Sequence, residues 1–315
     1  MKKTLSQAVD FYLETRRQFG FSMAQADVEL HSLARYAEEA GPAGTLTASL
    51  AIQWAQQPQQ CAPSYRARRL DIARRFAEFW LPYDPRTEIP PRGCFGPGYG
   101  RRVVHIYSPD EVGLLLEASA QLGRVHPLRA ATFRTLVGLL ECTGLRVGEA
   151  LGLSDEDIDW PEQVLTIRHA KGGQTRLVPI QPSTAEALSR YRALRRKAVG
   201  PVAGPRFFVT FRGTPLGYFG VNMAFGQLRR ALGWTQRPVP RLHDLRHTFA
   251  VRTLLAWYRG GEPVGPKLWT LSTYLGHQHL ADTYWYLSAV PELMQLCQQR
   301  FAAAQSWASH RGDHE

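Results

Sequence analysis

The residues best suited to chemistry in this chain are two arginines in separate short segments. Arg146 lies in the run Thr-Gly-Leu-Arg-Val-Gly-Glu, and Arg246 lies in the run His-Asp-Leu-Arg-His. A guanidinium is always charged, and its planar fork fits two oxygens of a phosphate group. Two such forks on one phosphodiester would neutralise the extra charge of its transition state. Each arginine could instead form an ordinary ion pair with a nearby acidic residue, Glu149 or Asp244.

Histidines accompany these arginines and could move protons. His243 and His247 stand four residues apart, which would place them on one face of a helix. Such a pair can hold zinc, and His277 or His279 could complete a cluster, but no further ligand is clearly placed. We therefore expect no metal. The alternative is that His243 acts as an acid or a base, while His247 packs against or orients a neighbour.

Two tyrosines, Tyr284 and Tyr286, are candidate nucleophiles. The pKa of a phenol is near 10, so attack on phosphorus requires nearby cations that favour the phenolate. Positions i and i+2 of a helix face different directions, so only one of the two can face a given phosphate. The residue types leave both open, and either tyrosine could be an ordinary packed aromatic.

Lys171 lies in a Lys-Gly-Gly run between two apolar, β-branched stretches, at 164–168 and 176–180. This pattern predicts a β-hairpin with the lysine at its tip. The lysine could be a solvated turn residue, or a cation that reaches into a DNA groove and protonates a leaving oxygen. With the arginines, histidines and a tyrosine, it completes a set that could cleave a phosphodiester without a metal.

The composition is that of a basic globular protein. The chain has 315 residues, which favours two domains, and a net charge of +11, which favours a polyanionic partner such as nucleic acid. Its four cysteines are far apart and form no C-x-x-C pair, so neither a zinc knuckle nor a disulfide framework is expected. We recognise no signal peptide and no bilayer-spanning run, and we expect a cytoplasmic protein without a membrane partner.

Apolar periodicity predicts a mainly α fold with a small β-sheet. Helices are expected over most of residues 4–82, as an N-terminal bundle. A Pro- and Gly-rich segment follows, and residues 96–107 are predicted to link a helical domain at 1–95 to a second domain at 108–315. The second domain opens with a capping box, in which Ser108 precedes Glu111 by three residues.

Taken together, these segments resemble the tyrosine recombinases, also called phage-type integrases. The resemblance rests on the Arg146 segment, the Lys171 hairpin, the Arg246 segment, a Leu-Gly-His run ending at His277 and a following tyrosine. It implies an N-terminal core-binding bundle and an α+β catalytic domain. The connection between Arg246 and His277 is long, and in this the chain resembles a subgroup carried by transposons.

The resemblance implies a role for each polar residue. Arg146 and Arg246 would clamp the scissile phosphate, and His277 would support the same phosphate. His243 would be the general acid or base. Lys171 would protonate the departing 5′-oxygen.

It also implies which tyrosine attacks. In the family the nucleophile falls nine positions after the histidine of Leu-Gly-His, which is Tyr286 here, with Tyr284 as the runner-up. Attack would leave a 3′-phosphotyrosine and a free 5′-hydroxyl, so rejoining needs no cofactor. Glu149 would brace the helix of the first arginine.

The implied function is site-specific DNA recombination, in the integration, excision or transposition of a mobile element. The partners would be double-stranded DNA and further copies of the chain, as a tetramer on two duplexes joined through a C-terminal helix. Accessory recombination proteins are left open. The alternatives are DNA relaxation like that of a type IB topoisomerase, and a DNA-binding accessory protein without catalysis.

Other cations are candidates for contacts with DNA phosphates. They are Arg66, Arg68 and Arg69 in the fourth predicted helix, and Arg101 and Arg102 in the linker. Some of them could be solvated instead.

Overall fold

The computed structural model describes residues 4–39, 45–96, 103–124, 126–168, 175–200, 204, 206–288 and 291–312. It divides the chain into two compact units, residues 1–102 and 103–315. Within the described ranges, no helix is both long and apolar enough to cross a membrane.

The described part of the first unit is helical. Its elements are α1 (Leu5–Gln18), α2 (Ala24–Glu39), α3 (Ala48–Gln56) and α4 (Pro63–Trp80). Helix α1 begins at a capping box, because the side chains of Thr4 and Gln7 each accept the other's backbone N–H. An apolar stripe on α4 is buried and lies in one core with Trp54 of α3; its residues are Leu70, Ala73, Phe76, Ala77 and Trp80.

The chain after α4 stays on this unit up to residue 96. The N–H of Glu88 donates to the carbonyl of Leu46 at 2.9 Å, and the Glu88 carboxylate accepts from the N–H of Ala48 at 2.8 Å. The buried Arg74 donates from Nε to the carbonyl of Pro90 at 3.1 Å. These bonds hold the irregular segment against the helices.

The predicted linker is structured at its C-terminal end. Tyr107 is 1% exposed in the core of the second unit. Its hydroxyl donates to the carbonyl of Arg241 at 3.0 Å, and its N–H donates to Oγ1 of Thr248 at 3.0 Å. The second unit therefore begins ahead of the capped helix at Ser108, because this aromatic anchor fixes the residues that precede it.

The described part of the second unit consists of helices and a small sheet. The helices are α5 (Pro109–Ala118), α6 (Pro127–Thr143), α7 (Val147–Gly152), α8 (Pro182–Val199), α9 (Tyr218–Ala231), α10 (Asp244–Arg259), α11 (Val264–Leu275), α12 (Ala281–Tyr284) and α13 (Pro291–Gly312). Helix α5 begins at the predicted capping box. Helix α6 is central, since it packs against both α8 and α10.

The sheet is antiparallel, with the order β1 (Ile158–Asp159), β2 (Val164–Ile167) and β3 (Arg176–Pro179). Strands β2 and β3 form the base of the predicted hairpin, with Leu165 opposite Val178 in the core. The hairpin tip, including Lys171, lies outside the described residues. The predicted fold class, mainly α with a small sheet, is confirmed.

Candidate active site

The site is built around the first turn of α10, which carries Arg246. Arg246 is 2% exposed. Its Nη1 donates to the carbonyl of Gly144 at 2.8 Å, and its Nη2 donates to the carbonyl of Leu275 at 2.6 Å. Asp244 pairs with Arg241 at 2.8 Å, so the reading of Arg246 as an ion pair beside Asp244 is wrong. A cation held by peptide carbonyls keeps its full charge for a ligand.

The pKa of Arg246 falls to about 10, because burial removes water from the guanidinium and Arg146 adds a second positive charge nearby. The group is still protonated at neutral pH. The guanidiniums of Arg246 and Arg146 are close enough to repel each other, so the site is suited to an anion that neutralises both.

Arg146 reaches the same site from the turn between α6 and α7. Its Nη2 donates to the carbonyl of Gly276 at 3.0 Å, and its Nη1 donates to Oε1 of Glu149 at 2.7 Å. The expected alternative, an ion pair with Glu149, is therefore present. This ion pair leaves Arg146 in the site. The Glu149 carboxylate is shared with more than one guanidinium, so it does not fully neutralise Arg146.

Two glycines in left-handed backbone allow these approaches. Gly144 ends α6 with φ +62°, and a Cβ there would meet the ring of Phe249 at 2.6 Å. Gly276 ends α11 with φ +67°, and a Cβ there would meet Nη1 of Arg176 at 2.8 Å. Glycine is required at both positions for its conformation and for its small size.

The end of α11 collects three arginines. The successive carbonyls of Tyr274, Leu275 and Gly276 accept hydrogen bonds from Arg176, Arg246 and Arg146, respectively. Carbonyls at the end of a helix have no partner within the helix and carry the negative end of its dipole. The helix end therefore positions three positive charges side by side.

Arg176 was not predicted as a site residue. It stands at the start of β3, where Leu177 is 64% exposed while Arg176 and Val178 face inward. The sequence did contain a signal for Arg176. It stands two residues before the buried Val178 in a short strand, and alternate residues of a strand share a face.

The structure brings Tyr286 to these arginines. Tyr286 lies in the 3₁₀ turn Trp285–Ser288 and is 2% exposed, whereas Tyr284 is 51% exposed. Burial raises the pKa of Tyr286, against the lowering effects of the charge of Arg246, a hydrogen bond to Arg246 and the charge of Arg146. Without substrate the phenol is therefore protonated.

Two histidines contact the tyrosine, and a third lies beside one of them. The ring of His277 stacks on Tyr286 with centroids 5.9 Å apart, and the ring of His247 lies 5.6 Å from Tyr286 and 5.0 Å from His243. His277 also shares a hydrogen bond with Oγ1 of Thr283 at 2.7 Å. His247 packs as expected, against His243 and Trp285.

All three imidazoles favour the neutral form. Burial, followed by the charges of Arg246 and Arg146, lowers the pKa of His277 to about 4. Burial also lowers the pKa of His247 to about 3. The pKa of His243 is lowered by loss of hydration and by the charge of Arg246, although part of its side chain is exposed. At neutral pH each of these neutral imidazoles has one ring nitrogen that can accept a hydrogen bond, and the low pKa values of His277 and His247 make those two weak bases.

The other predicted residues divide into two groups. Lys171, Arg101 and Arg102 lie outside the described part of the chain. The predicted arginines of α4, which are Arg66, Arg68 and Arg69, lie within the described residues.

Among the residues that the structure describes, no group of three His, Cys, Asp or Glu side chains is placed to hold a metal.

Arg69 has a structural position instead of a DNA-facing one. It is 4% exposed, lies 3.9 Å from the ring centre of Trp54 and pairs with Glu29 at 3.0 Å. A buried, paired guanidinium cannot reach a phosphate, so the expectation for Arg69 needs correction. Arg66 and Arg68 are half-buried, and Arg66 donates to the carbonyls of residues 58 and 59.

Comparison with known proteins identifies the family. The model of the phage integrase family matches residues 107–292. The chain belongs to the phage integrase family, the tyrosine recombinases. The putative integrase/recombinase y4rB of Sinorhizobium fredii is 39% identical, over 94% of this chain and 96% of its own length. The tyrosine recombinase XerC of Brucella suis is 34% identical, over 56% of this chain and 52% of its own.

Solved structures share the fold. The Tn1549 transposon integrase in complex with transposon right end DNA has a TM-score of 0.65 at 18% identity, over 95% of this chain and 100% of its own. The XerH recombinase bound to a palindromic difH substrate has a TM-score of 0.62 at 17% identity, over 90% of this chain and 79% of its own.

The family membership decides the enzyme class. Tyrosine recombinases cleave and rejoin DNA strands, so the predicted class and the predicted site-specific recombination are confirmed. The two alternatives, DNA relaxation and a non-catalytic accessory role, are not favoured.

Proposed function

We propose that Tyr286 is the nucleophile of this recombinase. Its oxygen attacks the scissile phosphorus, the bond to the 5′-oxygen breaks, and a 3′-phosphotyrosine forms. The 5′-oxygen takes a proton from Lys171 and leaves as a hydroxyl. The observation that carries the proposal is the position of the buried Tyr286 phenol beside the guanidinium of Arg246, in a cluster that excludes Tyr284.

The two guanidiniums supply the charge that this step needs. Arg146 and Arg246 bind the non-bridging oxygens and stabilise the charge that develops on them. Their bonds to main-chain carbonyls fix them before the phosphate arrives, so little reorganisation is needed in the reaction. The step requires no metal and no cofactor.

The neutral histidines handle the phenolic proton. His243 takes the proton of Tyr286 during attack and returns it during rejoining, and His277 supports the phosphate. The phosphodiester energy remains in the tyrosyl link, so the reverse attack by a 5′-hydroxyl rejoins the strand.

The test is covalent trapping on a nicked suicide substrate that loses the 5′-fragment after cleavage. We expect a protein–DNA adduct from the unaltered chain and from Tyr284→Phe, and none from Tyr286→Phe, because of these two tyrosines it is Tyr286 that lies beside Arg246. Peptide mapping of the adduct checks the attachment site. Loss of the adduct in Tyr284→Phe alone would transfer the role to that residue.

We further propose that the recombinase integrates, excises or transposes a mobile element, as a tetramer on two duplexes. The similarity to a putative integrase/recombinase over nearly the whole chain supports the first part. Exposed apolar side chains on α13, Met294 and Phe301, support the second. The first unit contributes DNA contacts, for which Arg66, Arg68, Arg101 and Arg102 remain predictions.

A further inference from the structure

The Glu149 carboxylate is shared between two arginines. Oε1 accepts from Nη1 of Arg146 at 2.7 Å and from Nη1 of Arg176 at 3.0 Å. Oε2 accepts from Nη2 of Arg176 at 2.8 Å and from the backbone N–H of Arg146 at 3.0 Å. The side chain of Glu149 is only 7% exposed. Four hydrogen bonds fill the acceptor sites of this buried group.

This arrangement decides where Arg146 points. Burial raises the pKa of Glu149, but the hydrogen bonds from Arg176 and Arg146, together with the charge of Arg176, more than offset this and lower it to about 2. Without Arg176, two acceptor positions of a buried carboxylate would be empty, which is costly. The carboxylate would then turn toward Arg146 and pair with it through both oxygens. Arg146 would be drawn away from Gly276 and its charge would be neutralised.

Arg176 also holds the neighbouring turn in place. Its Nε donates to the carbonyl of Tyr274 at 2.9 Å. Its guanidinium lies so close to Gly276 that a Cβ on that glycine would meet Nη1 at 2.8 Å. The carbonyl of Gly276 is in turn the acceptor for Arg146. One side chain therefore joins β3, the Glu149 helix and the end of α11.

We propose that Arg176 is a positioning residue, which occupies Glu149 and the turn at Gly276 so that Arg146 stays directed at the scissile phosphate. The inference rests on the proposed function. Arg176 does not touch the phosphate itself. A lysine cannot replace it, because an ammonium lacks the planar fork that meets both carboxylate oxygens and the carbonyl together.

The test separates loss of the clamp from loss of folding. Single-turnover cleavage by Arg176→Met and Arg176→Lys is measured on two suicide substrates. One has an ordinary scissile phosphate, and the other carries a methyl group in place of one non-bridging oxygen. The second phosphate is neutral, so it depends less on a guanidinium. We expect cleavage of the ordinary phosphate to fall about 10- to 100-fold, and the variants to match the unaltered chain on the neutral one.

Arg195→Met is the matched control. Arg195 is 4% exposed, pairs with Asp155 at 2.6 Å and donates to the carbonyl of Phe207 at 2.7 Å, so it is a buried, ion-paired arginine of the same unit. It contacts neither Arg146 nor Glu149 in the described structure. Its loss should change both substrates by the same factor.

Three outcomes overturn the inference. They are normal cleavage of the ordinary phosphate by both variants, an equal loss on the two substrates, and failure of the unaltered chain to cleave the neutral phosphate although it cleaves the ordinary one. If the unaltered chain forms no adduct with the ordinary substrate, the proposed function itself fails, which is a distinct result.

Discussion

At the scale of single residues, the site depends on glycines as much as on arginines. The carbonyl of Gly144 binds Arg246, and the left-handed backbone of this glycine turns the chain from α6 into the Arg146 segment. The space where a side chain would lie is filled by Phe249 and Leu275. A change at Gly144 therefore acts on stability and on the position of Arg246 together.

We predict that Gly144→Ala lowers the free energy of unfolding by about 1–3 kcal/mol, because a Cβ strains the left-handed conformation and strikes the Phe249 ring. Urea denaturation measures the change. Gly138→Ala in α6 is the control. A Cβ there meets nothing within 4 Å in the helix, so this change should stabilise by about 0.5–1 kcal/mol. Equal effects of the two changes would refute the argument.

Whether the role of a residue could be predicted from the sequence depended on how far along the chain its partners lie. Arg146, Arg246 and the histidines were recognisable because each sits in a short local segment. Arg69 was misread because its partner, Glu29, lies on another helix. Arg176 was missed for the same reason, since its contacts are made at Glu149 and Tyr274. Choosing Tyr286 over Tyr284 rested on the family's spacing, and residue type alone could not make that choice.

At the scale of elements, α13 is held to its own unit at its N-terminal end. Leu293 is fully buried in the cluster that contains Tyr286. Arg300 donates to the carbonyls of Glu262 at 2.6 Å and Tyr258 at 2.8 Å, which lie at and after the end of α10. Of the apolar residues of α13, Leu293 is therefore internal, whereas Phe301 is 65% exposed.

If α13 docks on a second copy, the exposed side chains should carry the contact. We predict that Phe301→Asp weakens assembly of two DNA-bound subunits, because it places a charge in an apolar interface, while binding of one subunit to one site is unchanged. Gln299→Asp puts the same charge on the opposite side of α13 and should have little effect. Band shifts on one-site and two-site DNA distinguish these steps. Equal assembly by the two variants would exclude this contact.

Elements were more predictable than their connections. The helices were marked by apolar periodicity and by local caps such as Ser108 with Glu111, which the structure contains. The position of Tyr107 was not marked. A Pro- and Gly-rich surrounding indicates a linker, but the bonds of Tyr107 to Arg241 and Thr248 span most of the unit. The sequence around Tyr107 gives no indication of acceptors that lie so far along the chain.

At the scale of the whole molecule, the two units carry histidines that respond to acid in opposite ways. In the second unit the pKa values of His277 and His247 are lowered from 6.5, to about 4 and about 3, mainly by burial. In the first unit the pKa of His31 is raised, chiefly by its hydrogen bond to the backbone of Asp27. A lowered pKa means that unfolding takes up protons, so acid favours the unfolded state.

We therefore predict that the second unit loses stability as the pH falls below 6.5 and continues to lose it toward about pH 4. The first unit gains stability from His31 as the pH falls through its raised pKa. Between about pH 7 and about pH 5 Glu149 contributes little, because its pKa is about 2 in the folded chain and its carboxylate begins to protonate in the unfolded chain only near the ordinary value of 4.5. Amide hydrogen exchange at about pH 7 and about pH 5, corrected for intrinsic rates, resolves the two units. Unchanged protection of the second unit would contradict the prediction.

The end of α11 has a consequence for how activity is lost. Its acceptors are peptide oxygens, so the hydrogen bonds to the three arginines depend directly on the helical turn and not on the side chains of residues 274 and 275. Fraying of that one turn would release three cations simultaneously. A variant in which this turn frays only part of the time should therefore give a mixture of fully active and inactive molecules, with few of intermediate cleavage rate.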